Sequence, residues 1–198
     1  DIKRLIRRWF FASSLTGFYI GSFESDFERQ LNEVSQLKTA EEYVAYFNKS
    51  LSALMTDDYF SLTLPNDLDA NEAAGPTWQG FVAAQVVLGC KALFSTVPIS
   101  QLISDGASGS KKAVDKHHLF PDNHLKETGH LSNRSNRANF TYADYDNNIY
   151  ISDDAPSVYV AKYRKALGEA AYEEACRQHA LPIGFEDMDY EVFLSKRR

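Results

Sequence analysis

The chain has 198 residues, a formal net charge of −6, and hydrophobic and aromatic shares of 44% and 13%. That length and apolar content suit a folded globule and exclude a disordered chain; the acidic balance excludes capture of nucleic acid by overall charge and leaves that task to a local basic field. No apolar run approaches the roughly 18 residues of a membrane span, and Asp1-Ile2-Lys3-Arg4 carries no signal-peptide pattern, so the expected setting is cytoplasmic with no membrane partner.

The first half reads as helices. Ile2, Leu5, Ile6, Trp9, Phe10 and Leu15 recur at helical spacing up to the stop at Gly17, and Trp9, Phe10 and Phe11 are expected in a core. A second helix is predicted over Glu24 to Leu37 with Phe27, Leu31, Val34 and Leu37 on one stripe. Thr39 and Glu42 form a capping box that opens a third, running to about Met55. Thr56 to Pro76 is broken and polar, with a short strand expected at Tyr59 to Leu64. Its carboxylates Asp67, Asp69 and Glu72 lack the spacing of a calcium loop. Thr77 to Ser95 is the most apolar helical stretch and is expected to be packed on several sides, with Gly89 admitting a close neighbour. Ser104 to Ser110 looks flexible.

The chemistry-bearing stretch follows. A strand is expected to end at His117-His118, before Leu119-Phe120-Pro121; a second lies at Asn139 to Tyr142 after a long loop, and Asn148 sits nine positions beyond Asn139. Because side chains alternate across a strand, both histidines reach one site only from an irregular strand end. An imidazole titrates near neutral pH and suits removal of a proton from water. Magnesium needs few protein ligands because it keeps waters and borrows phosphate oxygens, whereas a histidine ligand favours manganese, nickel or zinc. From Ala107 to Phe140 six basic residues face three acidic ones, a local balance of +3 that leaves −9 for the remainder.

Beyond the strands, Pro156 to Leu167 and Glu169 to His179 read as helices separated by Gly168, with a last helix from Asp189. His179 is expected to be a helix-terminus cation. Cys90 and Cys176, each expected within a helix, read as buried thiols, too few for a disulfide framework or zinc knuckle.

His117-His118-Leu119-Phe120-Pro121, Ala138-Asn139-Phe140-Thr141, Asn148 to Ser152 and Ala155-Pro156-Ser157 together resemble the HNH-type C-terminal domain of GmrSD-type restriction endonucleases and SspE-like phage-defence nucleases. The stretches Arg8 to Gly17 and Met188 to Leu194 are similar to segments flanking that domain. The resemblance implies a mainly α chain carrying a small ββα-metal (HNH) finger, an α+β arrangement. It implies His118 as general base, His117 and Asn148 as ligands of one divalent metal ion (Mg2+ or Mn2+, with Ni2+ or Zn2+ as alternatives), and Asn139 as the residue that ties the strands and orients His118. Asp115 is a candidate for supporting the ligands, and Lys116, Arg134 and Arg137 are candidate DNA contacts.

The expected organisation is a helical support over 1–105, the finger over 106–155, and C-terminal helices over 156–198 packed on it as one structural unit. The absent starting methionine suggests a C-terminal fragment of a longer protein. The resemblance implies an upstream nucleotide-hydrolysing domain that senses modified DNA. The expected function is a metal-dependent HNH DNA endonuclease of restriction or phage defence. The alternatives are a catalytically inert HNH-fold DNA-binding or regulatory module and a metallohydrolase of small phosphoesters. The basic clusters Lys3 to Arg8 and Lys196 to Arg198 read first as solvated surface. Sequence leaves the oligomeric state open.

Overall fold

A computed structural model describes residues 2–107, 114–144 and 150–198, with the side chains of 105–107 and of 114 and 115 excepted. The chain is mainly helical with a two-stranded antiparallel sheet. It divides into two compact units, 1–67 with 74–80, and 68–73 with 81–198.

In the first unit α1 (Ile2–Leu15), α2 (Phe23–Ser35) and α3 (Ala40–Leu54) surround a small aromatic core. Leu5, Trp9, Ala12 and Leu51 are buried there, with Phe18, Tyr19, Val44 and Phe47 against them. The Trp9 indole lies edge-on to Phe18 at 5.3 Å between ring centroids and donates to the Tyr19 hydroxyl. Thr39 caps α3 as expected, accepting from the Glu42 N–H while Glu42 reaches back to the Thr39 N–H at 3.1 Å. The expected apolar stripes are only half used. Ile2, Ile6 and Phe10 on α1 and Phe27 and Leu31 on α2 stay exposed, and the buried residue of α2 is Gln30, which pairs with Tyr19.

The strand expected at Tyr59 to Leu64 is instead a π-helix (Tyr59–Thr63) running into α4 (Leu64–Leu68). Alternation of apolar and polar residues made a strand pattern, but among the described residues no strand edge pairs with this segment. The Thr56 hydroxyl accepts the Tyr59 N–H and starts the helical turn instead.

α5 (Gly75–Val87) begins in the first unit and ends in the second. It stops well before Ser95, the expected end, because Gly89 adopts φ 69°. The Cys90 N–H then reaches the Gln85 carbonyl and the Gly89 N–H the Val86 carbonyl, a Schellman closure. A Cβ on Gly89 would meet nothing within 4 Å, so its role is conformational rather than the admission of a neighbour. Val87 and Leu88 are exposed, which corrects the expectation of a helix packed all round. Cys90 is buried in the irregular segment after the helix, not within it.

The second unit is organised on β1 (Val114–His118) and β2 (Phe140–Asp144), paired with His117 opposite Thr141 and His118 opposite Phe140. α6 (Ile99–Ala107) precedes β1. The connection between the strands contains α7 (Asp122–Glu127) and a short 3-10 helix (Arg137–Asn139). The core gathers Leu119, Phe120, Leu125, Ala143 and Ile151 with residues of α8 (Pro156–Leu167), α9 (Glu169–Gln178) and α10 (Tyr190–Arg197). Tyr159, Phe185 and Phe193 are fully buried in it. Among the described residues no helix is long and apolar enough to cross a membrane.

Candidate functional site

The two histidines occupy a regular strand end. Pairing runs without a bulge through His118, so alternation sends the rings to opposite faces. His117 shares its face with Thr141 and Ala143, is 3% exposed, and stands edge-on to Tyr159 at 6.1 Å. His118 lies with its cross-strand partner Phe140, the ring centroids 4.2 Å apart.

Asn139 fixes the chain just beyond His118. Its side-chain Oδ1 accepts the Phe120 N–H at 2.8 Å, and Nδ2 donates to the carbonyls of Phe120 (2.9 Å) and Arg134 (3.0 Å). Its main-chain carbonyl accepts the Leu119 N–H at 2.8 Å. A fully buried amide with its bonding capacity spent on backbone is a structural clamp. It holds the turn after β1 to the start of β2, and its carbonyl acts on Leu119 rather than on the His118 ring. The Tyr159 hydroxyl donates to the Leu119 carbonyl at 2.7 Å and fixes the same turn from α8.

The His118 ring is half-buried, and desolvation pushes its pKa below the ordinary histidine value, with Asp122 opposing that shift and Arg134 adding to it. It is therefore neutral at pH 7. Its Nε2 is screened from solvent and has no hydrogen-bond partner among the described residues. Asp122, on α7, holds Arg134 at 2.7 Å and Lys126 at 2.5 Å, and these cations keep its carboxyl below the usual range. A neutral imidazole with an uncommitted nitrogen, beside a carboxylate flanked by two cations, is equipped to take a proton and to sit near an anion.

The remaining candidates divide. Asn148 lies outside the described residues, as does the Asp115 side chain. Lys116 is exposed on the His118 side of the strand and its ammonium reaches the Ala73 carbonyl at 2.5 Å. Arg134 keeps partial exposure beside Asp122. Arg137 is buried, its Nε donating to the Glu72 carbonyl at 3.1 Å. At the C-terminus Arg197 turns inward onto the carbonyls of Ala138, Phe140 and His179, and Arg198 pairs with Asp69. Those two arginines are fold elements rather than solvated surface.

Among the described residues no group of three or more His, Cys, Asp or Glu side chains could hold a metal. A hard cation that keeps its own waters needs fewer ligands than that. His117 places an imidazole on the buried face of the strand, a donor type suited to a borderline transition metal.

Sequence reasoning missed His179. It is 1% exposed. Its Nε2 lies 2.9 Å from the Lys91 carbonyl, which can only accept, so Nε2 carries the proton. Nδ1 then accepts from the Thr141 hydroxyl and from Gln85 Nε2. Burial lowers its pKa to about 4, so it is neutral rather than a helix-terminus cation. His179 and Thr141 brace the face of β2 that carries His117's cross-strand partner. A cleft of about 180 Å3 lined by Phe94, Ser95, Leu167, Ala171 and Ala175 borders His179 and includes neither His117 nor His118.

No family model, curated protein or solved structure matches the chain.

Proposed function

We propose that the chain is a metal-dependent HNH DNA endonuclease domain in which His118 is the general base. The observation that supports this reading best is the state of His118: neutral, half-buried, with Nε2 uncommitted among the described residues, at a strand end that Asn139 and Tyr159 hold rigid. A base must be deprotonated and pre-positioned, and both conditions fit; Nε2, screened from solvent, has to be uncovered for the attacking water to reach it. In this reading His118 removes a proton from the attacking water, and Arg134, poised beside Asp122, meets the phosphate by exchanging one anionic partner for another. His117 and Asn148 would hold the divalent ion, which requires the strand end to bend and bring the His117 ring round to the His118 face, because the regular pairing sets the two rings on opposite faces. When bound, that ion would supply electrostatic stabilisation of the phosphate and the leaving oxygen. In a longer protein the activity would be governed by an upstream nucleotide-hydrolysing domain that senses modified DNA.

The engagement of Arg137 and the depth of His117 favour a second reading, a catalytically inert finger that serves as a DNA-binding or regulatory module. Supercoiled-plasmid conversion in magnesium, manganese or nickel, by the chain and by His118→Ala, separates the two. The nuclease reading expects the variant to lose about 10²–10⁴-fold in rate while keeping the far-UV spectrum and urea midpoint. Equal rates for both proteins would remove His118 from the role. Absence of cutting, together with no binding of manganese by calorimetry, would leave the inert module.

A further inference from the structure

The first unit carries two exposed apolar stripes that match each other. On α1, Ile2, Ile6 and Phe10 are spaced four apart and are 47%, 53% and 64% exposed; on α2, Phe23, Phe27 and Leu31 repeat that spacing at 56%, 40% and 51%. Residues four apart lie along one helix face, so each set is a continuous ridge.

The charges beside the ridges are opposite. Lys3 and Arg7 follow Ile2 and Ile6 by one position and are exposed; Glu24 and Glu28 follow Phe23 and Phe27 by one position and are exposed. Among the described residues no ion pair engages Lys3, Arg7, Glu24 or Glu28. One apolar ridge is therefore edged with positive charge and the other with negative charge, on the same hand of the helix. Two helices facing each other bring same-hand flanks together only when antiparallel, the logic that sets like-lettered flank pairs in antiparallel coiled coils.

We propose that a second copy of this chain covers both ridges, α1 of each copy lying antiparallel on α2 of the other in a two-fold symmetric dimer. Symmetry makes the fit economical, because a self-complementary surface uses each contact twice. The partner's chemistry follows from the charges. A nucleic acid or anionic membrane would suit Lys3 and Arg7 but would be repelled from the ridge edged by Glu24 and Glu28. One surface that offers acid to the first and base to the second is this chain itself. The inference is independent of the nuclease reading, since it involves neither histidine.

Sedimentation equilibrium of the 198-residue chain across the micromolar range tests it. The wild type should be dimeric, and Phe27→Asp monomeric with an unchanged far-UV spectrum. Lys3→Glu with Arg7→Glu should weaken the dimer about tenfold or more, as should Glu24→Lys with Glu28→Lys, by turning modest surface attractions into repulsions. Combining all four reversals should restore the wild-type constant. A monomeric wild type would overturn the proposal and leave the ridges to a different partner. A dimer that Phe27→Asp leaves intact, or one that the combined reversal fails to restore, would overturn it equally, because either result places the contact elsewhere.

Discussion

Asn139 grips Phe120 from both sides, its Oδ1 on the Phe120 N–H at 2.8 Å and its Nδ2 on the Phe120 carbonyl at 2.9 Å. A side-chain amide here does the work of a third strand, satisfying both backbone groups of a residue that has left the ladder. Asn139 therefore holds Phe120 in the turn after His118, as Tyr159 holds Leu119.

Asn139→Ala should destabilise the second unit by about 2 kcal/mol or more, since both backbone groups of Phe120 lose their partner and the Arg134 carbonyl keeps only the Tyr190 hydroxyl at 3.5 Å, and buried unsatisfied groups cost about 1–3 kcal/mol each. Asn139→Asp should be comparably severe, keeping the acceptor but losing both donors and burying a charge. Urea unfolding checks both; a loss under 1 kcal/mol for the alanine variant would mean the turn is held by other contacts.

His179 links stability to pH. Its folded pKa of about 4 lies below the ordinary 6.5, so the unfolded chain binds the extra proton first. Stability from this site is full above about 6.5 and falls as pH drops from there to 4, by about 3 kcal/mol over the window. Urea midpoints between pH 7 and 4 should show this slope in the wild type and a flatter one in His179→Gln, over and above the contributions of carboxylates that both proteins share.

Phe94 is a non-glycine residue at φ 52°, 6% exposed, with its ring stacked on Tyr163 at 4.6 Å. Removing the ring costs burial in either Phe94→Ala or Phe94→Gly. The left-handed backbone favours glycine by about 1 kcal/mol, so Phe94→Gly should be the more stable variant. Thermal melts that rank alanine above glycine would show that this turn carries no left-handed strain.

Arg197 reaches three carbonyls across the β2 start and the α9 end. Burial draws its pKa down to about 9, still above neutral, so it remains charged where it is bound. Arg197→Met should lose about 2–3 kcal/mol, because charge-assisted bonds vanish and their carbonyl partners remain. Lys196→Met, at an exposed neighbouring position, should change stability little. Equal effects in chemical denaturation would return Arg197 to the surface cluster that the sequence suggested.

Much was legible locally. The capping box at Thr39, proline at the start of α8, the break at Gly168 and the strand pair around His118 and Asn139 are each written within a few residues, where periodicity and cap chemistry act. The places of His118 at the end of β1 and of Asn139 just before β2 were readable for the same reason. Tertiary structure alone decided which groups find partners. It set Arg137 and Arg197 on distant carbonyls and enclosed His179 between Thr141 and Gln85. Apolar periodicity marks the residues able to be buried, whereas burial itself requires a facing surface. Ile6 and Phe27 have the pattern and lack that surface among the described residues, which no local rule could have separated from Leu5 and Trp9.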